Sequence, residues 1–239
     1  MNQEIDSPAP YNHARWENRR RFLRFLLRRL GVPLLLKLES VEGLENIPAQ
    51  GAGILMMNHI AFVDSIVILH CMPRNIVPMG KIEAFNYPVI GLLPRLWYSI
   101  PVHREEVDRK AIRMALDVLQ AGEIILLAPE ATRSSQLHQG KEGIAYLASK
   151  SGAPIIPVAI EGTPGFPALR YTPRWRGPGV HIKFGKPSRY SPDIQRPGRD
   201  QLRQMTDEAM YVLSAMLPEA RRGAYADLSN ATRETVEGV

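Results

Sequence analysis

A chain of 239 residues has room for one substantial α/β domain and short appendages but hardly for two complete domains. With 45% apolar and 23% charged residues it falls in the ordinary globular range, which excludes a disordered or fibrous protein. A net charge of +6 favours anionic partners, and the single cysteine, Cys71, excludes an intrachain disulfide and a cysteine-held metal cluster.

The first residues carry Glu4, Asp6, Pro8 and Pro10, not the basic start, apolar stretch and small-residue cleavage site of a secretory signal. A reducing, cytosolic setting is expected. The periodicity predicts a helix over 14–30, with Phe22, Leu23, Phe25, Leu26, Leu27 and Leu30 on one arc and Arg21, Arg24 and Arg28 opposite. Such a helix either lies in a lipid interface, arginines toward anionic headgroups, or packs its apolar face on the main domain. It does not span a bilayer, because a span needs about 20 mostly apolar residues and arginines interrupt every window; the run Val32 to Leu36 is too short and holds Pro33.

Apolar runs bounded by turn residues predict strands at 36–41, 53–57, 76–80, 99–102, 124–128, 155–160 and 180–184. Helical patterns fall at 63–71, 82–96 (broken at Pro88 and Pro94), 105–120, 141–151 and 199–217. Alternating strands and helices imply an α/β fold with a mixed, largely parallel central sheet flanked by helices. The Pro-, Gly- and aromatic-rich segment 161–178 reads as a long irregular loop, and from Pro218 the chain turns polar and loses periodicity. The expected organisation is a basic amphipathic helical segment at 1–35, the α/β domain at 36–217 and a loose polar tail at 218–239.

The strand Gly53 to Met57 delivers Asn58 and His59 at its exit, and the apolar helix that follows opens with Asp64. Strand ends leading into helices are where α/β proteins place their sites. Asp64, five residues on, can hold an imidazole in one tautomer while the other ring nitrogen takes a proton from an attacking hydroxyl. The plainer alternative is a histidine that caps the helix. Spacing alone decides little, since His103 and Asp108 share it; there the acidic Glu105, Glu106 and Asp108 suit a helix N-terminus, and capping is the better reading. Nothing at ligand spacing suggests a metal, and no glycine-rich loop suggests a nucleotide cofactor.

Four ordered blocks, Asn58-His59 with Asp64, Ile100 to Arg104, Pro129 to Ser134 and Pro154 to Ile160, together with the stretch from Lys81 to Gly91, resemble the glycerolipid acyltransferases. That group includes the 1-acylglycerol-3-phosphate acyltransferases. The resemblance implies transfer of an acyl group from acyl-CoA or acyl carrier protein to the free hydroxyl of a lysolipid. His59 would be general base and Asp64 its orienter. Arg104 and Arg133 would hold the acceptor phosphate, and Glu130 and Thr132 would shape that pocket, Glu130 contacting the acceptor or bracing an arginine. Lys81 and Lys141 would be further phosphate contacts. No cofactor and no metal are implied. The expected partners are the donor, the lysolipid and a phospholipid surface, with peripheral attachment to the cytoplasmic face of a membrane. Nucleic acid is not expected, because the basic residues sit among leucines and phenylalanines and not in a recognition motif. Acceptors other than 1-acylglycerol 3-phosphate (a lyso-ornithine lipid, another lysophospholipid, glycerol 3-phosphate) and a non-catalytic lipid-binding role are the alternatives. The chain departs from the family at Ala131 and Tyr98, where glycine is usual, at Ala128, where an aromatic is usual, and at Ala61, where serine is common. Alanine resists positive φ, so the backbone beside Glu130 is expected to sit differently.

Overall fold

The computed structural model describes residues 11–88, 91–104, 107–194 and 196–238. The acidic start Glu4 to Pro10 and the pair Glu105 and Glu106 lie outside the described residues. Among the described residues nine strands form one sheet, in the order β1 (Leu38–Glu42), β7 (Val180–Phe184), β6 (Ile155–Glu161), β2 (Gly53–Met57), β5 (Ile124–Leu127), β3 (Ile76–Lys81), β4 (Ile100–Val102); β8 (Ser188–Tyr190) joins β6 and carries β9 (Val236–Gly238). The pairs β1–β7, β6–β2, β2–β5, β5–β3 and β3–β4 are parallel, and β6–β7, β6–β8 and β8–β9 are antiparallel.

Alternation along the strands divides the core in two. Ile54, Met56, Ile125 and Leu127 face one layer with α5 (Arg109–Gln120), α6 (Gly143–Ser151) and α7 (Arg199–Ala215). Leu55, Met57, Ile124 and Leu126 face the other, beneath α3 (Asp64–Cys71) and α4 (Leu92–Trp97). The strands β2 and β5 are apolar at every position because both faces are covered.

The predicted helix over 82–96 divides into a 3-10 turn at Ile82–Asn86 and α4. Pro88 marks the break as expected, but Pro94 does not: it lies in the first turn of α4, where an amide hydrogen has no partner in the helix.

The N-terminal α1 (His13–Leu26) runs through a π-helical turn, Leu27–Gly31, into α2 (Val32–Leu35). Leu23 and Leu27 pack inward, while Phe22, Phe25, Leu30 and Leu34 point outward, each at least half exposed. The expected segregation of arginines is overturned. Arg20 and Arg28 reach inward and serve as caps for two other helices. The fully buried Arg20 guanidinium donates to Trp97 O at 2.8 Å and to Tyr98 O at the C-terminal end of α4. Arg28 donates to His70 O (3.0 Å) and Met72 O (2.7 Å) at the end of α3. Each guanidinium meets the carbonyls that a helix end leaves unpaired and the negative pole of its dipole, a demand invisible in the amphipathic pattern of α1 itself. No helix of the described residues is long and apolar enough to cross a membrane.

The expected loose tail is also overturned. Residues 219–230 form three short 3-10 turns and β9 pairs with β8. The buried Glu208 of α7 organises the segment, accepting from the hydroxyls of Thr232 (2.8 Å) and Thr235 (2.6 Å) and from the amides of Glu234 and Thr235. Four donors on one carboxylate hold a polar segment that no apolar periodicity announces.

Candidate active site

Strand β2 ends where the Asn58 side chain takes over the ladder: its amide donates to Ile160 O (2.9 Å) and its carbonyl accepts from Ile160 N (2.8 Å). The side chain thus satisfies the β6 backbone and frees the main chain to turn away. His59 follows, and its Nδ1 lies 2.8 Å from Asp64 Oδ2. That oxygen also accepts the backbone N–H groups of Ile60 (2.7 Å) and Ala61 (2.8 Å). With two backbone N–H groups already on that oxygen, a neutral ring would carry its hydrogen on Nδ1 and leave the lone pair on Nε2. Asp64 is wholly buried, whereas His59 lines a cavity of about 1020 Å³.

The cavity runs along an apolar wall from α3 and α4 (Phe62, Ile66, Leu69, Leu93, Trp97) to Ile112 and Leu116 of α5. Lys81, Arg104, Arg133 and Lys141, singled out in the sequence, line it too. Arg109 and Arg113, not anticipated as site residues, also line it from one face of α5 at i, i+4 spacing. Lys81 pairs with Glu83 at 3.2 Å. Lys141 Nζ donates to Arg104 O at 2.7 Å, and Arg104 Nη1 donates to Ala131 O. Burial lowers the pKa of the Arg104 guanidinium and the nearby Arg133 adds to this, while Glu83 opposes it. Among the described residues, six lysines and arginines against three carboxylates line the cavity. An incoming anion would relieve that repulsion.

Two expected site residues are placed elsewhere. Thr132 is exposed and is not on the cavity wall. Glu130 is buried behind it, and its Oε2 accepts the His138 amide at 2.8 Å while Oε1 has no hydrogen-bond partner. It neither faces the cavity nor pairs with an arginine. Burial pushes its carboxyl up to about 7, against the pull of the His138 and His59 backbone amides. An unfolded chain releases this proton near 4.5, so the folded state loses stability as pH rises between 4.5 and about 7. Glu130→Gln is expected to remove roughly 2–3 kcal/mol of that decline, read by comparing urea unfolding of variant and wild type at about pH 5 and pH 8.

The departures from glycine are absorbed as strain. Ala131 sits at φ 54° and Tyr98 at φ 59°, so both residues occupy the left-handed region that glycine takes freely and that a Cβ resists. Ala131→Gly is expected to stabilise the fold by about 0.5–1 kcal/mol, relief of strain exceeding the added freedom of the unfolded chain. Thermal unfolding would register it.

His103 and Asp108 behave as expected of a cap: Asp108 accepts the amides of Ala111 and His103, both at 2.9 Å. No motif or periodicity hints at what holds the Pro129 to Lys141 loop. Ser134 N donates to His59 O (2.8 Å). From the other side, Leu137 N donates to Arg221 O (2.8 Å) and Ala224 N to Leu137 O (2.9 Å). Tyr225 Oη accepts Gly140 N (3.2 Å) and donates to Asp207 (2.7 Å), and Arg221 bridges Glu161 and Ser135 O, each at 3.0 Å. Gly223, at φ 48°, comes so close to Leu137 O that a Cβ would stand 2.2 Å from it.

Known proteins resemble this chain in sequence and in fold. A 1-acyl-sn-glycerol-3-phosphate acyltransferase of Bacillus subtilis is 27% identical over 169 residues, 70% of this chain and 82% of that protein. A chloroplastic protein of the same name from Arabidopsis thaliana is 28% identical over 52% of this chain, which spans only 36% of that longer relative. The crystal structure of the 1-acyl-sn-glycerophosphate acyltransferase from Thermotoga maritima superposes with a TM-score of 0.59 at 25% identity, covering 80% of this chain and 77% of the other. The model of the acyltransferase family matches residues 40–161, just over half of the chain and the stretch that holds His59, Asp64, Arg104 and Arg133. This chain therefore belongs to the acyltransferase family and is an O-acyltransferase.

Proposed function

We propose that the protein moves a fatty acyl group from acyl-CoA or acyl carrier protein to the free hydroxyl of 1-acylglycerol 3-phosphate, forming phosphatidic acid for phospholipid synthesis. The observation that carries this reading is the 2.8 Å contact between His59 Nδ1 and Asp64 at the wall of a cavity lined by apolar side chains and by six lysines and arginines. The apolar side chains suit an acyl chain and the cationic ones a phosphate.

In this scheme His59 Nε2 takes the hydroxyl proton as the acceptor oxygen bonds to the thioester carbonyl carbon. Asp64 holds the ring and stabilises the imidazolium. The tetrahedral intermediate collapses, the carbon–sulfur bond breaks, and the departing thiolate recovers the proton from His59. Arg104 and Arg133 hold the acceptor phosphate, with Lys81 and Lys141 beside them. Glu130 acts from behind, on the backbone of the loop. The reaction as written calls for no cofactor and no metal.

Attachment to a phospholipid surface, on the cytoplasmic side, is part of the same proposal; Phe22, Phe25, Leu30 and Leu34, which expose apolar side chains beside Arg21 and Arg29, support the surface contact. The test of function is thiol release from an acyl-CoA with and without lysophosphatidic acid, with lipid products identified by mass. Acceptor-dependent release that yields phosphatidic acid supports the proposal. Release only with another lysolipid would transfer it to that acceptor, and silence with every donor and acceptor would overturn it.

A further inference from the structure

The loop from Glu161 to Val180 ends in an unusual display. Leu169 is 65% exposed and Tyr171 86% exposed, and Tyr171 sits at φ 75°. A bulky residue in the left-handed region is strained. Here burial returns nothing for that strain, because the ring points into solvent.

Nor is the display the accident of a slack loop. Arg174 ties its base together by donating to the carbonyls of Gly162 (2.6 Å), Pro164 (2.8 Å) and Pro178 (2.7 Å). Trp175 Nε1 donates to Ala168 O, and Thr172 Oγ1 to Leu169 O, both at 2.8 Å. The loop is also latched to the N-terminal helices: Ala168 N donates to Leu35 O (2.9 Å) and Arg170 N to Leu34 O (3.2 Å). Leu169 and Tyr171 are therefore held beside Leu34, at the end of the exposed apolar stripe.

Charge surrounds this tip. Arg170, Tyr171, Thr172, Trp175 and Arg176 line an open hollow of about 390 Å³, and the Arg170 guanidinium lies 5.5 Å from the Tyr171 ring centroid. An aromatic and a leucine projecting between arginines match the boundary of a bilayer, where rings sit at headgroup level and guanidinium groups meet phosphates.

We propose that residues 169–176 are a second membrane-docking element, Leu169 and Tyr171 entering the headgroup layer of a bilayer while Arg170 and Arg176 take the phosphates of anionic phospholipids. This rests on the reading of the protein as one that works at a lipid surface, and it names the part of that surface contact which the N-terminal stripe does not supply.

The experiment measures binding of the full chain, without substrates, to vesicles of phosphatidylcholine alone and of phosphatidylcholine mixed with phosphatidylglycerol. Leu169→Ser with Tyr171→Ser is expected to weaken binding to the mixed vesicles by about tenfold or more. Arg170→Gln with Arg176→Gln is expected to cost about fivefold per arginine on the mixed vesicles and nothing on the neutral ones. Both double variants should still acylate a short-chain acceptor that is monomeric in solution.

A labelled variant covers the case in which a double variant misfolds. Burial pushes the Cys71 thiol up to about 12, so Leu169→Cys offers the more reactive thiol for an environment-sensitive dye. Blue-shifted emission on mixed vesicles supports docking through the loop. Unchanged emission overturns it, as does wild-type binding by either double variant or failure of the wild type to bind at all. A protein that docks through the loop yet transfers no acyl group leaves this surface standing and fells only the proposed reaction.

Discussion

Replacing His59 with alanine is expected to lower kcat/KM for acyl transfer by about 10³, within the range that general-base assistance contributes. The ring lines the cavity, and its Nδ1 is held by a buried carboxylate. The loss should fall on kcat with KM for the acceptor little changed, because the imidazole acts on a proton that moves only in the transition state. Stability should change by no more than about 1 kcal/mol, since the side chain forms a cavity wall and its removal leaves the Ile60 and Ala61 amides still bonded to Asp64. His59→Gln, which restores bulk but not basicity, should be as slow as the alanine variant. Steady-state kinetics beside urea unfolding separate the two quantities, and a variant within tenfold of wild type would remove His59 from the reaction.

Asp64→Ala carries the second large effect, divided between rate and fold. It strips the acceptor from His59 Nδ1 and from the amides of Ile60 and Ala61 in one step. Orphaned polar groups cost about 1–3 kcal/mol each where water cannot replace the partner, and with the Asp64 position wholly buried a total of about 2–4 kcal/mol is expected. The rate should fall by about 10²–10³ as the ring loses its tautomer and its counter-charge. Asp64→Asn distinguishes these roles. An amide oxygen can still receive the same three donors, so most of the stability returns, but no negative charge remains to favour the imidazolium. Equal loss of rate in both variants with stability restored only in asparagine would identify charge as what Asp64 supplies to the reaction.

The central strands were legible because they are apolar runs that both layers bury, as β2 is on the expected residues 53–57; β7, on the expected 180–184, instead alternates buried Val180, Ile182 and Phe184 with exposed His181 and Lys183. The short, polar strands β8 and β9 were not, since an edge strand of three residues is held by backbone pairing and carries no apolar signal. His59 and Asp64 could be read because strand exit, imidazole and carboxylate stand together in the sequence. The burial of Glu130 could not, because it depends on the return of residues from His138 onward. Arg28 misled for a related reason: an arginine on an amphipathic helix looks solvated until the helix end that it caps is known.

The bracing of the Pro129 to Lys141 loop also bears on the timing of maturation. Tyr225 lies 85 residues beyond the Gly140 amide that it receives, and Arg221 lies 86 beyond the carbonyl of Ser135. Synthesis runs from the N-terminus at a finite pace, so the parallel strands and His59 leave the ribosome well before the residues that clamp the Arg133 loop. A nascent chain can thus hold His59 in place while the loop of Arg133 is still unbraced, and under the proposed reaction competence for transfer arrives as a late event in biogenesis, after α7 and the turns beyond it have docked.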